Sequence, residues 1–495
     1  MNTNRRTFMI GSACAATALA LPGLAQASAR PLPLLPLTDL MDLSGDRIAL
    51  NLGASSHDFG TGTQSPTYGI NSNYLGPVLR VKSGQTLPFD VFNGIENVST
   101  IHWHGLHIPG DVDGGPHQEI APGETWSPDV PIKQRASMNW FHSHQHGRTA
   151  SQVYKGMAGI MLLEDDESLS ADLPSTYGVD DFTLVLQDKF FNASGALEYS
   201  LTASSLEDGF LGDTIVVNGT IAPVAQSVPT GLVRLRIVNA SNGNFLSLAM
   251  ATGPLNVIAS DGGFLSATVQ TETLVMSPGE RYEVLVDMSE VDSNQLMVTY
   301  QEAEGTGLMG LIGELFGRGE TEIAALTLTR RGEPGFDGAM PDRLANLDVP
   351  DRSLATTTRS FELQMDTGAD LDAIALLGSD LCGNLTAMHI NGKPMDLGRI
   401  DETVRKGDTE IWRVTVDDLQ HPFHIHGCSF RILSNGDGAV PEYAQGWKDM
   451  VHVNDGWSEV LVRFDHDAPA NAPYMYHCHI LEHEDCGMMG QFTVT

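Results

Sequence analysis

Three stretches of the chain share one pattern of hydrophobic and polar positions. Val81-Lys82-Ser83-Gly84 leads into alternating apolar positions at Leu87, Phe89 and Val91, then Asn93 and His102. Val228-Pro229-Thr230-Gly231 leads into Val233, Leu235 and Ile237, then Asn239, and Val404-Arg405-Lys406-Gly407 leads into Ile411 to Val414, then His421. Period-two alternation after a Gly-ended turn predicts a β-strand with one face buried. Its threefold recurrence predicts three homologous β-sandwiches. Ala121-Pro122-Gly123-Glu124 and Ser277-Pro278-Gly279-Glu280 add further turns before strands. Boundaries are expected at the acidic run 164–167 and in the Gly/Pro-rich stretch 332–350, giving domains 28–167, 168–335 and 336–495. Helices should be few, with candidates at Asp370–Leu377 and Leu308–Phe316. The predicted class is all-β.

The first residues read differently. Asn4-Arg5-Arg6-Thr7-Phe8-Met9, an apolar stretch to Leu21 and the small-residue run Ala25-Gln26-Ala27 make residues 1–27 a signal peptide of twin-arginine type. No later segment is apolar for the ~18 residues a membrane helix needs. The expectation is an exported bacterial protein, periplasmic or beyond, without a membrane span.

Composition narrows the partners. The 495 residues hold 62 acids against 28 bases, a formal net charge of −34. So acidic a chain is a poor binder of polyanions, which excludes nucleic acid as a partner. Gly 51 and Pro 25 suit a turn-rich β protein. The chain also carries 17 histidines, and their placement matters more than their number.

Eight of them form four H-x-H pairs: His102-Trp103-His104, His142-Ser143-His144, His424-Ile425-His426 and His477-Cys478-His479. On a strand, residues i and i+2 face the same way, so each pair offers two neighbouring imidazoles. Imidazole serves copper, zinc and iron alike. The last segment chooses among them. Alternation turns Cys478 away from His477 and His479, toward His483 and the more distant His421, with Met488 nearby. Two imidazoles, one thiolate and a weak thioether describe a blue-copper electron-transfer site. Two pairs lie in the first domain and two in the third. The matching part of the second reads Asn244-Phe245-Leu246-Ser247-Leu248. The eight-imidazole site is therefore expected between domains one and three, with domain two as a spacer.

These motifs, His-Trp-His-Gly, His-x-His-x-His-Gly, His-Pro-Phe-His-Ile-His-Gly and His-Cys-His-x3-His-x4-Met, resemble those of three-domain multicopper oxidases of the laccase type. Asp113-Gly114-Gly115-Pro116, Gly446-Trp447-Lys448-Asp449 and Leu481-Glu482-His483-Glu484-Asp485 are most similar to the bacterial periplasmic copper-efflux (cuprous) oxidases. The resemblance implies three cupredoxin-like Greek-key sandwiches and four copper ions. It implies type 1 copper on His421, Cys478, His483 and Met488, and type 2 copper on His102 and His424. The type 3 pair then falls to His104, His142, His144, His426, His477 and His479. One-electron oxidations at type 1 would pass electrons through Cys478 to the trinuclear cluster, where dioxygen becomes water. Asp113 and Glu484 match the acidic residues placed beside that cluster, suited to proton relay or to hydrogen bonding of ligand histidines.

The reductant is Cu(I) or a small phenol or aromatic amine, and a monomer is expected. Met365, Asp370 and Asp417 match an accessory substrate-copper site of the cuprous branch. Leu419 stands where a Met is usual, and 367–384 lacks a Met-rich insertion. His146 is expected beside the cluster or on the surface, and His107, His117 and His389 to be structural or exposed. Cys382, Cys428 and Cys486 can include one disulfide, its pairing open. A non-enzymatic copper-binding or envelope-assembly role is the contrasting reading.

Overall fold

The computed structural model describes residues 29–43, 45–301, 322–348, 350–365, 387–416, 420–436, 438–454 and 456–495. The signal-peptide residues, both helix candidates, Cys382, Asp370, Asp417 and Leu419 lie outside them.

Six sheets stack as three cupredoxin-like sandwiches. In the first, a sheet ordered Leu37–Asp39, Val78–Lys82, Ala158–Glu164, Ser137–His142 and His102–His104 faces one built on Ser65–Ile70, Ile48–His57 and Thr86–Gly94. Some neighbours in these sheets are far apart in sequence and pair in parallel, as Val78–Lys82 does with Ala158–Glu164. Leu50, Phe89, Val91, Trp103, Phe141 and Met161 fill the space between them. The third sandwich repeats the plan around Phe361, Trp412, Phe423, Tyr476 and Phe492.

The recurring turn owes its glycine to backbone geometry. Gly84, Gly231 and Gly407 all have positive φ, at 94°, 116° and 83°, a region costly to any residue with a Cβ. In the first copy burial alternates as expected, with Leu87, Phe89, Val91 and Asn93 inside. In the second, Leu232–Asn239 is buried throughout. Arg234 pairs with Glu283, and Arg236 with Asp181 at 2.7 Å, so the polar face of this strand is an ion-paired layer under protein rather than a solvated one. Asn93 and Asn239 end their strands identically, each side-chain amide donating to two carbonyls.

Contacts between the sandwiches cross the expected boundaries. Arg30–Pro31 pairs with Val224–Ala225 at the edge of a second-sandwich sheet. The strand Ile323–Pro334 runs past Gly332, and Phe336, Met340 and Leu344 then pack with Ile258, Phe264 and Leu285. The described helices are short: Thr149–Tyr154, Asp166–Ser170, Ala203–Glu207 and Leu481–Asp485. None among the described residues is long and apolar enough to cross a membrane.

Candidate metal centres

The four H-x-H pairs sit at strand ends rather than within strands. Only His102 and His104 both lie inside one, in His102–His104. His142 closes Ser137–His142, and His144 follows in a loop. His424 and His477 lie in His421–Ile425 and Tyr474–Cys478, and His426 and His479 just beyond. The i, i+2 reasoning correctly brings the pairs together, whether both members stay in the strand or one lies just beyond it. Ring centroids within the pairs are 5.8, 6.1, 4.9 and 5.6 Å apart. Three of the pairs divide their imidazoles between different groups, whereas His102 and His104 also share one with His424.

The groups are clear in the distances. His144, His426 and His477 point their Nε2 atoms at one another, 3.2 to 3.3 Å apart. His104, His142 and His479 form a second group, and His102 and His424 with His104 a third. His421, Cys478 and His483 form a fourth, with the Cys478 Sγ 3.3 Å from His421 Nδ1 and 3.6 Å from His483 Nδ1. The first three draw on the first and third sandwiches together. The fourth lies in the third alone, next to the fully buried Met488.

Hydrogen bonds decide which nitrogen each ring leaves open, because a carbonyl can only accept. His102 Nδ1 donates to the Asp113 carbonyl, His142 Nδ1 to that of Ser143, His424 Nδ1 to that of Asp449 and His477 Nδ1 to that of Cys478. His426 Nδ1 donates 2.7 Å to Asp113 Oδ2. These rings keep Nε2 for their groups. His104 is reversed: its Nε2 donates 3.1 Å to Asp449 Oδ1, leaving Nδ1 inward. The inner Nε2 atoms of His102 and His424, and both ring nitrogens of His479, are buried without a hydrogen-bond partner. Buried nitrogens left free of hydrogen bonds at this density are the mark of a metal site.

Electrostatics agree. Burial pushes His104, His142, His144, His424, His426 and His479 well below the ordinary histidine range, helped by the neighbouring imidazoles, and takes His477 to about 3 and His483 to about 4. They are neutral imidazoles, the metal-binding form. Burial also pushes the Cys478 thiol up, so a metal must displace its proton to gain a thiolate. Between the two sets runs the backbone of His477-Cys478-His479, whose outer members belong to two different imidazole groups and whose sulfur belongs to the fourth.

Carboxylates surround the imidazoles. Asp113 touches His426 through its side chain and His102 through its carbonyl. Gly114 makes this approach possible, since a Cβ there would fall 1.7 Å from the Ile101 oxygen. Glu484 lies 3.3 Å from both His144 Nδ1 and His477 Nδ1, and burial with the charge of Asp485 holds its carboxyl well above the usual range. Asp485 accepts from the backbone of Thr149 and Ala150, tying the helix that carries His483 to the first sandwich.

Several participants had no assigned role in sequence. Asp449, inside the quoted Gly446-Trp447-Lys448-Asp449 motif, is the buttress of His104 and His424. Arg281 of the second sandwich, fully buried, grips both oxygens of Asp449, at 2.6 and 2.5 Å. Lys448, equally buried, is held by Asp261 and Glu280 of the same sandwich. The spacer domain thus supplies no imidazole but a charged frame. Of the weaker candidates, His107 donates or accepts at Ser429 Oγ and His117 at Gln491 Oε1, both joining the first and third sandwiches. His146 and His389 are half-buried. Met365 ends the strand Ala355–Met365, half-buried against the third core. Cys428 is a free buried thiol, and Cys486 is disulfide-bonded.

A buried eight-imidazole centre shared by two cupredoxin-like domains, coupled through one cysteine to a His2Cys group, defines a copper-dependent oxidase scaffold. Family models described as multicopper oxidase match residues 52–168, 180–309 and 361–495, and the chain belongs to the multicopper oxidase family. It is 38% identical over 502 residues to the cell division protein FtsP of Escherichia coli strain K12, covering 100% of this chain and 99% of that protein. Its structure is similar to that of the laccase-like multicopper oxidase CueO of an Ochrobactrum species, which has oxidase activity towards lignin model compounds and lignosulfonate. That match has a TM-score of 0.81 and 39% identity, covering 94% of this chain and 100% of the other. McoA of Aquifex aeolicus matches with a TM-score of 0.80 and 29% identity, over 95% and 100% of the two chains. Family membership implies copper as cofactor, and dioxygen and a reductant as partners.

Proposed function

We propose that the protein is an exported, periplasmic multicopper oxidase, directed by its twin-arginine signal, that couples one-electron oxidation of a reductant to reduction of dioxygen to water. Four coppers would supply the redox chemistry: type 1 on His421, Cys478, His483 and Met488, type 2 on His102 and His424, and a type 3 pair on His104, His142 and His479 and on His144, His426 and His477. The observation that carries the reading is the completeness of this donor set, with eight imidazoles and a cysteine converging in buried groups.

The chain's own residues do the rest. Carbonyls of Asp113, Ser143, Asp449 and Cys478 hold the rings by Nδ1 and so turn Nε2 toward the donor groups. Cys478 joins the two sites through its own backbone. Asp113 and Glu484 stand where protons for water formation are wanted, and the raised affinity of Glu484 suits it to hold one.

Cu(I) is the preferred reductant, as in copper tolerance, with phenols and aromatic amines as the alternative. The relatives named for cell division match along the whole chain, so a non-enzymatic envelope role is the contrasting outcome of the test. Copper-loaded protein should be intensely blue, bleach with Cu(I) and recover in air. Absence of oxygen consumption with Cu(I) and with phenols alike would overturn the oxidase reading.

A further inference from the structure

The second sandwich contributes more than a frame, because one of its segments covers the His421, Cys478 and His483 group. The short helix Ala203–Glu207 begins at a capping box in which Thr202 and Ser205 satisfy each other's backbone amides. It is held on the third sandwich from both sides. Tyr199 Oη donates 2.8 Å to Glu482 Oε1, and the Phe210 amide donates 3.0 Å to Glu482 Oε2. Gly209 fits so closely that a Cβ would lie 2.7 Å from Ile480 Cγ2. From this strap Leu206, 1% exposed, enters the apolar core that holds Cys478 and Met488. The Glu207 carbonyl, at 2.9 Å, takes the hydrogen of His483 Nε2, the one ring nitrogen turned away from the sulfur. His483, Cys478 and Met488 are 0% exposed, and His421 is 5% exposed.

An aromatic reductant delivers its electron best when it touches or hydrogen-bonds a ligand ring. At His483 that position is occupied by a peptide carbonyl. We propose that the segment Tyr199–Phe210 sets the reductant selectivity of the protein. By capping His483 it denies bulky phenols contact with the ligand shell, and it leaves delivery to reductants small enough to reach the edge of His421. This rests on the oxidase reading and sharpens its preference for Cu(I). In either case each reductant loses one electron, a phenol also losing its proton to become a phenoxyl radical. Four such events and four protons convert one dioxygen to two waters.

The test compares the copper-loaded wild type with a variant in which Ala203–Glu207 is deleted and replaced by one glycine, and, should the deletion fail to fold, with the double variant Tyr199→Phe and Leu206→Ala, which releases the strap from Glu482 and from the apolar core. Rates are read with Cu(I) and with a 2,6-disubstituted phenol, both as oxygen consumption and as anaerobic bleaching of the blue colour. Opening the strap should raise kcat/KM and the bleaching rate for the phenol by about tenfold or more, the scale on which pocket access discriminates. Loss of the Glu207 carbonyl's bond to His483 acts on both reductants alike, so the phenol-to-Cu(I) ratio of each rate is the quantity that should rise by that factor. An unchanged phenol bleaching rate in a blue, folded variant overturns the proposal, as does an equal change for both reductants. Bleaching without oxygen consumption in every protein would overturn the oxidase reading while still testing the strap.

Discussion

The two donor sets of this protein are built on opposite plans. The His2Cys group belongs to one domain: its members come from two neighbouring antiparallel strands, His421–Ile425 and Tyr474–Cys478, and the helical turn that follows the second, and its walls are apolar. The eight imidazoles are assembled from two domains, with hydrogen bonds to carbonyls and carboxylates on nearly every ring. The first needs a tuned, closed pocket for electrons, and the second a polar surround for protons. A local site tolerates errors in domain docking, whereas a shared one registers them.

The largest effect that separates the two is expected at Cys478. Cys478→Ser should abolish the blue absorption and lower turnover by about 100-fold or more, as losses around metal ligands do at minimum. Copper analysis should still find metal on the imidazoles. Retained colour would refute the type 1 assignment. Glu484→Gln should act on the other side only, leaving bleaching by reductant unchanged and slowing air reoxidation by about 100-fold, the low end of general acid–base contributions. Stopped-flow absorbance reads both phases, and equal slowing of the two would break the comparison.

Arg281→Met tests domain docking. It leaves Asp449 and its contact with His104 without a buried partner, a change that costs about 3–5 kcal/mol in other buried pairs. Denaturant unfolding of the copper-free protein measures this, and a double-mutant cycle with Asp449→Ala isolates the pair. The blue site, distant in construction, should persist in the surviving folded fraction while copper on the imidazoles falls.

The smallest effect is in pH. Burial lowers both His107 and His452 to about 4, so in the folded protein they stay neutral where an unfolded chain, near 6.5, takes up protons. Stability of the copper-free protein from these groups is therefore full above about 6.5 and declines as pH falls toward about 4. His107→Gln should flatten that slope modestly in thermal unfolding curves. A steeper slope would show that other groups dominate.

Much of this was legible in the chain. The Gly-ended turn and its alternation marked three sandwiches because Gly84, Gly231 and Gly407 each occupy a conformation that only glycine adopts cheaply. The spacing of His477, Cys478, His479, His483 and Met488 is local, so a strand and one helical turn sufficed to place it. Arg234 and Arg236 misled, since alternation marks a strand's faces but not whether the polar one meets water or a layer of buried ion pairs. Asp449 was visible only as part of a motif, and Arg281 and Glu207 carried no signal. One acts through a salt bridge to another domain and the other through a backbone carbonyl, which every residue possesses.

Amino-acid order by itself thus determined the domain class, the donor types and the metal they suit, because periodicity and short spacings are properties of the local chain. Tertiary structure alone decided which imidazole joins which group, that His104 faces inward by Nδ1, and that the ligand-free domain frames one site and covers the other. Those outcomes depend on contacts between segments far apart in sequence, and no local pattern encodes where two surfaces will meet.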